Sequence, residues 1–459
     1  MKGRIRLINA ALQGKMHTGK QYEIVVESGQ FKRVEEQPFV VHNERSRPLE
    51  SFSHISELNS HDPEGELVID LKQRMVLPGM IDIHMHLDKA FSLREVGNPS
   101  GTLLEAIQRY SQAAPYFTKE VIRSRMIRTA LQSVSYGSTK LRSHLDFQLA
   151  AGEDVAMRTV EAALEAKSML EGIVDIQFFP MVPYRDLGKR GLDLIEESIR
   201  MGIDGLGGAP HLSATPDQDI EDIFKLAARL DVQIDLHCDE SDDPAKRTVL
   251  KVAEESLKYG YHGKVTAGHL CSLSSMLPEE AEEIIDRMSL AGVHAVTLPA
   301  ANLYLQGRAD LGPVQRGVTR VRELRKAGIM VAAASDNIND PFHPFGRGDV
   351  LQMALLTGYA SHYGSPDDMN SLLEMVTTAP AEMYGCRGDY GIYPGCPADF
   401  VIIDAGCAEE IFTMLPAGRW VAKSGTWVSM TPFSRQWGSA KMTAMWEQAS
   451  ETLLPERRV

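Results

Sequence analysis

His84 and His86 stand one residue apart at the end of an apolar run, Pro78-Gly79-Met80-Ile81-Asp82-Ile83-His84-Met85-His86-Leu87-Asp88. On a β-strand, alternation sends residues i and i+2 to the same side. Two imidazoles leaving one strand end together is an arrangement that a divalent cation needs. Groups of the same chemical type follow downstream: His237 with Cys238, Asp239 and Glu240, then His269, then Asp336. His84, His86, His237 and Asp336 make a donor set for one divalent ion, Zn or Fe, with a position left for water. Such an ion lowers the pKa of its water towards about 7, which gives hydroxide at neutral pH. Glu240 lies three residues past a ligand and is free to transfer protons. It would protonate a ring nitrogen while the hydroxide attacks the adjacent electron-poor carbon. His269 faces the same mouth and either holds the hydroxide or serves as a fourth imidazole ligand. His144 and His211 read as supporting groups, and His17, His42, His54 and His61 as surface residues.

These groups need a scaffold that brings several strand ends to one place. From Met75 to about Ala381, short apolar runs alternate with helical segments. Strands are expected at 75–83, 138–144, 173–179, 203–208, 232–236, 264–268, 293–298 and 329–334. Between them, stretches such as Glu221 to Leu230 and Glu279 to Ser289 carry apolar residues at helical spacing. Eight strand–helix alternations are the signature of a (β/α)₈ TIM barrel, whose active sites lie at the C-terminal strand ends. A doubly wound open sheet is the runner-up, but no GxGxxG follows the first strand.

Both chain ends read as strands and turns, and neither is large enough to stand alone. They are expected to pair into one small flanking β-sandwich. The division is 1–74 for its N-terminal part, 75–386 for the catalytic barrel and 387–459 for its C-terminal part. Residues 36 to 66 are polar and read as a poorly ordered surface insertion.

Composition excludes several classes. The 459 residues carry a net charge of −14, which argues against a nucleic-acid backbone or an anionic membrane as partner. No window approaches the roughly 20 apolar residues of a membrane helix, and the N-terminus lacks a signal-peptide core. Five cysteines without CxxC spacing read as reduced thiols of a cytoplasmic protein.

Four blocks, PGMIDIHMHLD, HCDE (237–240), GHLCSLSSM (268–276) and SDNINDPFHPFGRGDVL (335–351), resemble the amidohydrolase superfamily in its cytosine-deaminase-like branch. So do Asn302-Leu303-Tyr304-Leu305-Gln306-Gly307-Arg308 and RGVTRVRELRKAGI (316–329). The resemblance implies a (β/α)₈ barrel with a flanking β-sandwich and one catalytic Fe or Zn. It matches the ligands to His84, His86, His237 and Asp336, the proton carrier to Glu240 and the hydroxide-orienting histidine to His269. Asp336 would also take a proton from the attacking water. Gln177 resembles the strand-3 glutamine that binds a pyrimidine's amide edge; its alternative is an inward barrel-layer residue. Ser335-Asp336-Asn337 departs from the His-Asp-Asp of cytosine deaminases, so a second acid beside the metal is missing. Lys89, in the loop after the first strand, would suit an oxygen-rich ring or an acidic substituent, as in relatives acting on ammelide-type triazines.

The expected activity is therefore deamination of a free heterocyclic base or related azaheterocycle, with loss of ammonia or an amine. The alternatives are hydrolysis of a cyclic amide or an N-alkylaminotriazine, or a binding protein that has lost catalysis. The strand-4 run Gly205-Leu206-Gly207-Gly208 lacks the lysine of two-metal cyclic amidases. A small heterocycle is the expected partner, and barrels of this type suggest a homo-oligomer.

Overall fold

The computed structural model describes residues 3–12, 20–38, 40–41, 43–60, 65–312 and 315–453. Its centre is an eight-stranded parallel sheet. The strands are β1 (Met80–Met85), β2 (Ser138–Asp146), β3 (Asp175–Met181), β4 (Gly205–Gly208), β5 (Gln233–Cys238), β6 (Val265–His269), β7 (His294–Thr297) and β8 (Val331–Ala333). They follow one another in chain order, each beside the next. The ring closes through a single parallel bridge, Met85 to Asp336, with the Asp336 N–H donating to the His84 carbonyl at 2.9 Å. Closure therefore falls on two of the expected ligands. The (β/α)₈ barrel read from the strand–helix alternation is the observed fold.

Helices such as Pro216–Leu230 and Pro278–Ala291 supply the crossovers. Ile220, Ile223, Phe224 and Ala227 of the first are buried. That 3- and 4-residue spacing gives one apolar stripe packed on the sheet. Left-handed C-caps at Asp231 and Gly292 end both helices and turn the chain into the next strand.

The expected strand at 75–83 is two strands in two sheets. Met75–Pro78 pairs with Phe400–Ile403 of the flanking sheet, and β1 begins after Gly79. Both pieces are buried on both faces, so the apolar run is continuous across the break. The flanking sheet joins the two chain ends in the order Thr426–Thr431, Arg419–Lys423, Phe400–Ile403, Met75–Pro78, Arg4–Leu12, Gln21–Glu27, Gln30–Gln37. Its own core holds Leu7, Ile24, Phe31, Phe400, Trp420 and Trp427.

The 36–66 segment is not a plain surface insertion where it is described. It contains a strand pair at Arg47–Pro48 and a short helix, Ile55–Leu58, and Leu49, Phe52 and Leu58 are buried in the flanking core. His54 is exposed; His17, His42 and His61 lie outside the described residues. All five cysteines are unpaired thiols. Among the described residues, no helix is long and apolar enough to cross a membrane.

Candidate metal centre

β1 ends inside the barrel mouth and projects His84 and His86 to one side. His237 comes from the end of β5, and Asp336 from the turn after β8. Their donor atoms all lie within 4.8 Å of one another, and all four residues are buried. His84 Nε2 is 3.1 Å and His86 Nε2 3.2 Å from His237 Nε2. Asp336 Oδ1 is 3.3 Å from His86 Nε2 and 3.8 Å from His84 Nε2, and has no hydrogen-bond partner.

Three ring nitrogens facing one another cannot all be satisfied by protons, because each neutral ring offers one donor and one acceptor. A cation at their centre satisfies all of them. Tetrahedral ligands about 2.0 Å from a common ion stand about 3.3 Å apart, close to the observed spacing. Burial, reinforced for His84 and His237 by neighbouring imidazoles, pushes the pKa of His84, His86 and His237 well below the ordinary histidine value. The rings are thus neutral with free lone pairs, which is the form a metal takes. The residues fit a divalent ion.

Among the residues with left-handed backbone are two non-glycine members of the site, His269 (φ 69°) and Asp336 (φ 61°). Such conformations are sparsely populated and concentrate where side-chain direction matters more than local energy. Here one falls on the last residue of β6 and the other just past β8, at the barrel mouth.

Glu240 follows β5 and is buried, with Oε1 3.5 Å from His269 Nδ1. Burial, then the nearby Asp336 carboxylate, raises its pKa well above the ordinary glutamate value. His269 is pushed down to about 3 by burial, against the pull of Asp336. Asn302 Nδ2 lies 3.0 Å from His269 Nδ1 and fixes the ring. Asn302 had only been part of a resembling block; a buried amide on the helix Pro299–Leu305 gives no sequence signal of its own.

The structure also brings Lys89 to this mouth. It is 3% exposed, its Nζ is 2.9 Å from Asp146 Oδ1, and it sits 4.5 Å over the Phe342 ring. Burial opposes its charge, but Asp146 and Asp88 outweigh that and hold its pKa above the usual lysine value. Gln177 is placed elsewhere. It lies early in β3, where its Oε1 accepts from Arg142 Nε (3.0 Å) and Nη2 (2.8 Å) and its Nε2 donates to the Tyr384 carbonyl at 3.1 Å. Both ends of its amide are engaged in a barrel layer below the mouth. His144 packs on His84 with ring centroids 4.2 Å apart, and His211 Nδ1 reaches the His237 carbonyl at 3.0 Å. Both stand behind ligands.

Comparison with known proteins agrees with this architecture. A model of the amidohydrolase family matches residues 67–127 and 147–431. A pterin deaminase of Rhizobium rhizogenes is 32% identical over 361 residues, 78% of this chain and 81% of that protein. An N-isopropylammelide isopropyl amidohydrolase of a Pseudomonas species is 30% identical over 353 residues, 73% of this chain and 81% of the relative. The crystal structure of a Klebsiella pneumoniae 5-methylcytosine deaminase liganded with 5-fluorocytosine superimposes with a TM-score of 0.83 at 28% identity. That match covers 94% of this chain and 99% of the other. A barrel closed on a three-histidine, one-aspartate donor set defines a metal-dependent hydrolase of C–N bonds. The chain belongs to the amidohydrolase family, in its cytosine-deaminase-like branch.

Proposed function

We propose that the protein hydrolyses the exocyclic C–N bond of a free, flat azaheterocycle, replacing an amino or alkylamino group with oxygen. Water is consumed and ammonia or an amine is released. The observation that carries this reading is Glu240: a buried carboxyl beside His269 that keeps its proton well above the usual glutamate range. A neutral carboxyl at that place can protonate a ring nitrogen, and as the carboxylate it can take a proton from water.

His84, His86, His237 and Asp336 would hold one divalent ion, Zn or Fe, which when bound makes water nucleophilic near neutral pH. His269, fixed by Asn302, orients the attacking water. Asp336 accepts one of its protons, and Glu240 delivers a proton to the ring nitrogen next to the reacting carbon. Lys89, held by Asp146, presents a donor to a ring oxygen or acidic substituent, with Phe342 under its ammonium. Gln177 acts from below, through Arg142. That the named relatives act on a pterin, an ammelide and 5-methylcytosine supports an amino-bearing nitrogen heterocycle as the substrate class. The acidic chain and its unpaired thiols support a cytoplasmic enzyme whose partner is a small molecule and not a nucleic acid.

The test is ammonia release over a panel of free bases, aminotriazines and pterins, comparing metal-reconstituted protein with Glu240→Ala. Release that falls by about 10²-fold or more in the variant is expected. Full activity in Glu240→Ala, or activity indifferent to chelation, overturns the reading. Amine release without ammonia shifts it to an N-alkylaminotriazine hydrolase.

A further inference from the structure

One layer below the donor set lie four buried polar atoms without hydrogen-bond partners: His84 Nδ1, His144 Nδ1, His144 Nε2 and Asp235 Oδ1. His84, His144 and Asp235 are each 0% exposed. Leaving such groups unpaired is destabilising, so a fold that gathers them implies a use.

Their arrangement is specific. Asp235 is two residues before His237 on β5, and its Oδ2 accepts from Arg142 Nη1 at 2.9 Å. Arg142 is itself anchored by Gln177, by Gln233 Oε1 at 2.7 Å and by the Met383 carbonyl at 2.8 Å. The other carboxylate oxygen, Oδ1, faces His144 Nε2 at 3.4 Å and His84 Nδ1 at 4.0 Å. Room for His144 comes from β4: a Cβ on Gly207 would lie 3.2 Å from His144 Nδ1.

We infer that Asp235, fixed by Arg142, is a positioning residue for the metal centre, acting through His84 with His144 as its partner. Its Oδ1 accepts the His84 Nδ1 proton, which leaves Nε2 unprotonated and aimed at the other three donors. The 4.0 Å separation is about 1 Å longer than a hydrogen bond, and the proposal requires the two side chains to approach by that much. Carboxylates behind metal-binding histidines set the tautomer and the ring direction in this way. The proposal rests on the metal-site reading and adds to it.

The same three residues present donor atoms within 4.8 Å and could be read as a second ion site. Two features oppose that. The Arg142 guanidinium already neutralises Asp235 and repels a second cation, and His84 would have to bridge two ions.

The experiment is competitive titration of metal-free protein with Zn²⁺ against a chromophoric chelator, without substrate, together with the Co²⁺ absorption spectrum. The wild type should bind one equivalent. Asp235→Asn should bind one equivalent about 10- to 100-fold more weakly, with an altered Co²⁺ spectrum. Loss of the buried Arg142 pair lowers the melting temperature of the metal-free protein, so affinity is compared at a temperature where both proteins are folded. Where Asp235→Asn does not fold, His144→Gln, which leaves the Arg142 pair intact, decides the matter by the same weakening. Unchanged affinity in the folded variant overturns the proposal. Two equivalents in the wild type falling to one in the variant replaces it with a second ion. A wild type that binds no metal removes the centre itself, and the proposal with it. Because no substrate is used, failure to deaminate any panel member leaves the affinity result standing.

Discussion

Lys89 is the side chain at the mouth whose energetics and role are most closely bound together. A lysine that is 3% exposed keeps its charge only because Asp146, Asp88 and Asp340 surround it. Its ammonium has three donors, and Asp146 takes one. The remaining donors are fixed in direction by that ion pair and by the Phe342 ring, which suits them to an oxygen on a planar substrate. A hydrogen bond to a charged group contributes about 1.5–3 kcal/mol. Lys89→Met should therefore lower kcat/KM for the best panel substrate by about 10- to 150-fold, mostly through KM, while one metal per chain is retained. Steady-state kinetics and metal analysis check this. An unchanged KM for an oxo-bearing ring would mean that Lys89 serves only to neutralise Asp146.

At the scale of strands, the ligands were legible because each stands at the end of an apolar run, where period-2 alternation fixes the side. Depth along a strand was less legible. The third strand is expected at 173–179, yet β3 runs to Met181 with Pro180 paired to Leu145. That extension leaves Gln177 opposite Arg142, below the mouth, although its inward parity is right. The break at Gly79 was hidden because two buried strands read as one. Asp235 shares the side of His237 by the same alternation but lies a layer deeper, and Asn302 sits on a helix whose spacing does not mark it. Glycine at β6 shows how closely these strands approach the ligands: a Cβ on Gly268 would sit 3.0 Å from His84 Cε1 and 3.1 Å from its Nδ1. His84 has His144 packed on its ring and no open side to retreat into. Gly268→Ala is expected to weaken Zn²⁺ binding about 10-fold, read by the same chelator competition, by displacing a ligand ring that the layer below holds in place. Unaltered affinity would show that the ring has slack.

For the whole molecule, the question is whether the flanking sheet is a separate body or part of the barrel. Met75, Leu77, Val401, Ile403 and Val421 of that sheet belong to the barrel's own apolar cluster. Arg419, on the strand Arg419–Lys423, reaches Asp349 with Nη1 at 2.9 Å and Nη2 at 3.1 Å, both side chains being almost fully buried. Asp349 caps the barrel helix Val350–Ala360, its side chain accepting from Leu351 N. Arg419 also donates to the Tyr136 carbonyl at 2.6 Å, just before β2. One guanidinium thus ties the sheet to two barrel elements. Arg419→Met leaves the buried Asp349 carboxylate to the half-exposed Arg347, whose Nη2 is 2.8 Å away. The loss should therefore stay below the about 3–5 kcal/mol of a fully broken buried pair. Arg419→Met with Asp349→Asn removes the under-compensated charge and should recover part of it. All four tryptophans lie outside the barrel, in the C-terminal segment, so fluorescence reports that part, while far-UV circular dichroism is weighted to the barrel helices. With a shared core, the two signals should trace one urea transition in the wild type and in Arg419→Met, displaced to lower urea in the variant. A fluorescence transition that separates from the dichroism would instead make the sheet an independently melting unit, and the buried pair only its latch.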